Sequence, residues 1–147
     1  NAKMSELHAA VGLAQLPIID SAIMERKAIA ENYAAALHGI PGIVLPDFTQ
    51  AVRANYAYMP IRILPRASID RETLLLRLRA SNIIARRYFY PLISEYQYYR
   101  AYAGSNLLDC PNAAKISREI VCLPIYPGLS LSCIKEVSDI ISAALIL

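Results

Sequence analysis

Apolar residues recur at three- and four-residue steps near both ends of the chain and gather into short runs between them. Residues 4–16 carry Leu7, Val11 and Leu13 or Ala14 near helical spacing, with Ser5 and Glu6 at the entry, and Pro17 is expected to end or kink this helix. A second helix is predicted from about Asp20 to Leu37, with Ile23, Lys27, Ala30 and Ala34 along one face and Gly39 as the stop. Together they would form one long, bent connector.

The pattern then shortens. Gly39, Ile40, Pro41 and Gly42 are turn chemistry, and residues 56–64 have strand composition. Pro60 removes a ladder donor, so that strand is expected at an edge or bulged. Asp70 reads as the N-cap of a helix running to about Ala80, residues 82–85 as a short strand, residues 111–118 as a short helix and residues 120–123 as another strand. Ser130 or Ser132 can cap a last helix with Ile134, Val137, Ile141 and Leu145 on one face. The sum is an α+β fold, a small antiparallel or mixed sheet covered by helices.

The 147 residues fit one domain, but 56% of them are hydrophobic and only 18% charged. So rich an apolar share predicts that part of the surface packs against something outside this segment. The net charge of +3 is scattered without a basic stripe, which argues against nucleic-acid binding. The longest uncharged stretches, residues 32–46 and 120–134, are each too short to span a bilayer as a helix and each carry two prolines, so no membrane span is expected. Cys110, Cys122 and Cys133 lack metal-ligand spacing with one another or with His8 and His38, and read as reduced cysteines of a cytoplasmic protein. A chain opening on Asn1 and moving at once into a helical pattern reads as a fragment.

No phosphate loop, HExxH or GxSxG motif is present. The unusual segment is Arg86, Arg87, Tyr88, Phe89, Tyr90, Pro91 and Leu92, followed by Tyr96, Tyr98, Tyr99 and Tyr102. Guanidinium groups fork onto phosphate oxygens and rings offer flat faces, so this segment could hold a nucleoside diphosphate. Equally, the tyrosines could form a packed loop with their hydroxyls at the surface. Asn1 and Lys3 stand just ahead of a helix N-terminus, a place that favours anions but is more often a simple cap.

Three blocks, residues 1–13, residues 86–92 and residues 116–127, resemble in order and spacing the nucleotide-sugar aminotransferases of the DegT/DnrJ/EryC1/StrS family. The resemblance implies the small C-terminal domain of a fold-type I enzyme dependent on pyridoxal 5'-phosphate, with residues 1–16 as the tail of the large cofactor-binding domain and residues 17–147 as the connecting helix and small domain. It implies an amino group moved from an amino acid, glutamate often, to a nucleotide-linked keto sugar, here of the dTDP-4-keto-6-deoxy kind, in a homodimer. Asn1 would reach the cofactor phosphate of the neighbouring subunit, Lys3 would lie near the nucleotide sugar, and Arg86, Tyr88 and Tyr90 would border the substrate entrance. In the family the Schiff-base lysine lies upstream, and none of Lys3, Lys27, Lys115 or Lys135 matches its motif, so this chain alone is expected to be inactive. A sugar dehydratase of the same fold working with the pyridoxamine form, and a non-catalytic docking or dimerisation module, stay open as alternatives.

Overall fold

The computed structural model describes residues 3–50, 53–100 and 110–146. It begins with α1 (Glu6–Gln15), whose N-cap Ser5 accepts a hydrogen bond from the His8 N–H. Pro17 stops the α-helical ladder as expected, but only for one 3-10 turn, Leu16–Ile18, before α2 (Ile19–Leu37) resumes. The 32-residue helical stretch Glu6–Leu37 is long and apolar enough, by length and composition alone, to cross a membrane. Its last third belongs to the core, because Ile29, Ala30, Tyr33 and Leu37 are buried. The buried face of α2 is thus rotated from the predicted one: Ala30 is shared, whereas Lys27 faces solvent.

After Gly39, whose φ of +76° ends the helix, the chain forms β1 (Ile43–Val44) and β2 (Met59–Ile63). Then come α3 (Arg71–Ala80), the one-turn α4 (Gln97–Arg100), α5 (Pro111–Glu119), β3 (Ile120–Leu123) and α6 (Leu131–Ile146). The three strands form one antiparallel sheet in the order β1-β2-β3. Met59, Ile61 and Ile63 point into the core at alternate positions, and Leu74 and Leu78 of α3 with Ile134, Val137, Ile141 and Leu145 of α6 cover them. Each such side chain, fully buried, contributes about 1.5–3 kcal/mol.

Two expectations need correction. The strand carrying Pro60 is the central one, not an edge. Yet Cys122, the partner of Pro60, spends its N–H and C=O on Arg86, so Pro60 faces it as a non-hydrogen-bonded pair and its own missing donor points away from β3. On that side β1 pairs only with Arg62 and Ile63, so no ladder bond is lost. The second correction is at residues 82–85, which form no strand. Asn82 takes φ +58° and the Ile83 N–H returns to the Leu78 carbonyl, so this stretch is spent on ending α3.

The apolar positions of α1 are not in the core: Leu7, Val11 and Leu13 are 74%, 50% and 68% exposed, and no α1 residue is buried. With no buried residue and so large an exposed apolar stripe, α1 lies outside the core of the described residues.

Candidate functional site

The segment after α3 is pinned to the sheet at one point. The Arg86 N–H donates to the Cys122 carbonyl at 3.0 Å, and the Cys122 N–H donates to the Arg86 carbonyl at 2.8 Å. Side chains then leave the strand edge on alternating sides. Arg86 and Tyr88 turn to one side, where with Tyr58, Cys122 and Tyr126 they line a cleft of about 420 Å³. Arg87 turns to the other, into a hollow of about 360 Å³ that it shares with Glu72.

Within the first cleft, Arg86 Nη1 donates to the Tyr88 hydroxyl at 2.6 Å, and the guanidinium lies 5.7 Å from the centroid of the same ring. The Tyr88 ring meets Tyr58 edge-on at 5.3 Å. Unlike Arg87, which pairs with Glu72 at 3.2 Å, Arg86 has no carboxylate partner among the described residues. A guanidinium not neutralised by an acid, flanked by aromatic faces, suits a phosphate group attached to a flat or ring-shaped body. Burial pushes the Cys122 thiol above its ordinary pKa, against a smaller opposing effect of a hydrogen bond with the Tyr88 backbone. That neutral sulfur makes part of the cleft wall and is a poor nucleophile.

The predicted residues are therefore not one cluster. Tyr90 sits apart from Arg86 and Tyr88, with its ring 4.6 Å from the Arg71 guanidinium and 5.5 Å from that of Arg87. The backbone between them contains cis peptide bonds at Tyr88–Phe89 and Tyr90–Pro91. Tyr96, Tyr98 and Tyr99 are exposed, and Tyr102 lies outside the described residues. Lys3 is exposed ahead of α1, whose first turn is already capped by Ser5, and Asn1 lies outside the described residues.

Sequence reasoning missed Tyr58, Tyr126, Arg71 and Glu72. Tyr58 precedes the core-facing Met59 and so belongs to the opposite face of the extended chain, a signal that was there to be used. For Arg71 and Glu72 no local signal existed, because their partners Ser117, Arg87 and Tyr90 come from elsewhere in the chain.

A cofactor with a phosphate and an aldehyde would need a desolvated lysine and a phosphate cradle. All four lysines of the chain are exposed; Lys115 borders a cleft of about 630 Å³ with Arg71 and Arg118, but itself faces solvent. The cofactor of the family is thus not fitted by this chain's described residues alone.

Comparison with known proteins identifies the lineage. The profile of the DegT/DnrJ/EryC1/StrS aminotransferase family matches residues 1–142. The dTDP-4-amino-4,6-dideoxy-D-glucose transaminase of Escherichia coli is 36% identical over 141 residues, covering 96% of this chain and 38% of the relative. The spore coat polysaccharide biosynthesis protein SpsC of Bacillus subtilis (strain 168) is 30% identical over 142 residues, covering 95% of this chain and 36% of the relative. The crystal structure of DesI in the presence of its TDP-sugar product superimposes with a TM-score of 0.88 at 26% identity, over 97% of this chain and 36% of that one. The family works with pyridoxal or pyridoxamine phosphate, and the chain spans little more than a third of the length of the curated relatives it matches. With a matching profile over nearly its whole length and a fold shared with about a third of a solved aminotransferase, the chain belongs to the DegT/DnrJ/EryC1/StrS aminotransferase family.

Proposed function

We propose that this chain is the C-terminal portion of a cytoplasmic aminotransferase that moves an amino group, with glutamate as the donor, onto a dTDP-linked 4-keto-6-deoxy sugar. The observation that carries this reading is Arg86, held by the Tyr88 hydroxyl at an aromatic-walled cleft with no carboxylate partner among the described residues. The names of the Escherichia coli relative and of the DesI structure support the dTDP-sugar class. In this reading Arg86 takes the diphosphate, Tyr88 and Tyr90 border the sugar, and Lys3 adds a cation near the nucleotide. Asn1 reaches the cofactor phosphate of the second subunit of a homodimer.

The proton-transferring lysine belongs to the large domain in this family, so the chain supplies holding groups and is inactive alone. The exposed apolar residues from Leu7 to Leu16 would then pack within the large domain, to whose tail they belong. Residues 1–16 would be the tail of that domain and residues 17–147 the connector and small domain.

The test separates the two half-reactions of the intact enzyme. Arg86→Ala removes one charged contact, worth about 1.5–3 kcal/mol, and so raises KM for the nucleotide sugar about ten- to a hundredfold. The amino-donor half-reaction should stay nearly unchanged. Equal loss in both halves would assign Arg86 a structural role and sink the reading.

A further inference from the structure

We propose that Glu72 is a positioning residue for the substrate-bordering loop, because its one carboxylate gathers two guanidiniums from different elements and both of them approach the Tyr90 ring. The inference rests on the reading above, in which residues 86–90 border the nucleotide sugar.

Glu72 Oε1 accepts from Arg71 Nε at 2.9 Å and from Arg71 Nη2 at 2.6 Å, while Oε2 accepts from Arg87 Nη1 at 3.2 Å. Arg71 also donates through Nη1 to the Ser117 carbonyl of α5. One cluster thus joins α3, α5 and the loop, and Tyr90 is its aromatic member, 4.6 Å and 5.5 Å from the two guanidiniums.

The place of Arg71 makes this an unusual expenditure. It is the first residue of α3, where the helix dipole disfavours a cation, and it is 6% exposed. A buried cation there needs compensation, which Glu72, the Ser117 carbonyl and the Tyr90 ring provide. Nothing in core packing requires a guanidinium at this position. What the arrangement does accomplish is to fix Tyr90 relative to the helices.

The loop has few other anchors. Its start is fixed by the Arg86–Cys122 pair, and farther on Glu95, which accepts from the Leu92 N–H at 3.0 Å, stands 3.9 Å from Arg118 of α5. Between these two points Tyr88 is held by Tyr58 and Arg86, and the Glu72 cluster is what relates the ring of Tyr90 to the rest of the domain. Glu72 itself is half exposed, so it can be replaced without emptying the core.

The experiment uses the intact enzyme with 3-fluorotyrosine in place of Tyr90, comparing the parent with Glu72→Gln, Glu72→Asp and Arg86→Ala. Glu72→Gln should shift or broaden the fluorine resonance and raise KM for the nucleotide sugar about three- to tenfold, leaving the amino-donor half-reaction unchanged. Glu72→Asp, which keeps the charge, should recover part of both effects. A role confined to the helix dipole would lower Tm in Glu72→Gln without moving either signal, and an unmoved resonance overturns the proposal. So does a moved resonance with an unchanged KM, when Arg86→Ala does raise KM. If neither variant alters KM, the loop does not border the substrate and both readings fall together; Arg86→Ala tells the two failures apart.

Discussion

Glu119, the last residue of α5, accepts two hydrogen bonds on Oε2 from Arg62 of β2, at 3.0 Å from Nε and 2.6 Å from Nη2. The carboxylate is 6% exposed and the guanidinium 31%, so the pair is far more enclosed than an ordinary surface ion pair. Arg62 stands opposite Ile120 in the ladder, so the ion pair ties the end of α5 to β2, the neighbour of the strand that follows the helix. Removing Arg62 strands a buried charge, whereas removing both charges leaves only a rearranged contact. Arg62→Met should therefore cost on the order of 3 kcal/mol, and the Arg62→Met/Glu119→Gln double variant clearly less. Urea unfolding of the four proteins measures it; a double variant as unstable as the sum of the singles would show that the pair carries no coupling.

The Asp70 carboxyl, N-cap of α3, is held below its ordinary pKa of 3.8, first by the Thr73 side chain and then by the Thr73 N–H, which donates to Oδ1 at 2.8 Å. The sign follows directly. Well above pH 3.8 the carboxyl is ionised in both folded and unfolded chains, and the cap is fully stabilising. As pH falls through the lowered folded value, the unfolded chain takes up the proton first and stability is lost. Asparagine caps about as well without titrating. The Tm of Asp70→Asn should thus gain on that of the parent between pH 5 and pH 3 in parallel melts, and a difference constant across that range would contradict the assignment.

Tyr33 is the reverse case: it is fully buried in the core, and its hydroxyl has no hydrogen-bond partner among the described residues. Burial, then the nearby Cys133 and Tyr126, pushes its phenol well above the ordinary value of 10. Tyr33→Phe removes an unpaired polar atom and keeps the ring, so it should leave stability unchanged or raise it by about 1 kcal/mol near pH 7. Above pH 10 the unfolded tyrosine gives up a proton that the folded one keeps. Stability of the parent then falls with rising pH, and the phenylalanine variant gains on it. Calorimetry at pH 7 and pH 10.5 checks both statements; a loss of more than 1 kcal/mol at pH 7 would mean the hydroxyl is satisfied.

Much of the fold was legible where one residue type has one local job. Asp70 before a helix, Gly39 after one, and Ile134, Val137, Ile141 and Leu145 on one face of α6 all did what their chemistry requires. The face of α2 was less legible because Ile23 and Ile29 are equally apolar, and the choice between faces is made by the sheet and α6 packing against Tyr33 and Leu37. The types of Arg86, Tyr88 and Tyr90 drew attention to this segment, but sequence proximity says nothing about the path of the loop, which sets Arg86 and Tyr88 along one cleft and Tyr90 against Arg71. The Glu72 cluster was not legible at all, being assembled from α3, the loop and α5.

Gly42 rests against the turn between Leu64 and Ala67, and its carbonyl accepts the Leu64 N–H at 2.8 Å just ahead of β1. Its φ is +83°, and a Cβ there would lie 2.5 Å from the Ala67 Cβ and 2.7 Å from its Cα. Gly39 has nearly the same conformation, φ +76°, with nothing within 4 Å. The two glycines therefore separate backbone handedness from steric overlap. Gly39→Ala should cost only the left-handed penalty, about 1–2 kcal/mol. Gly42→Ala should add an overpacking cost of about 1–3 kcal/mol, because the obstacle includes backbone that cannot turn aside as a flexible side chain does. Adding Ala67→Gly to Gly42→Ala removes the 2.5 Å contact but leaves the one with Cα, so it should restore only part of the loss. Urea unfolding of the four chains ranks them. Equal destabilisation by Gly39→Ala and Gly42→Ala would mean that the turn yields easily, and that the first strand is not held to β2 by this close approach.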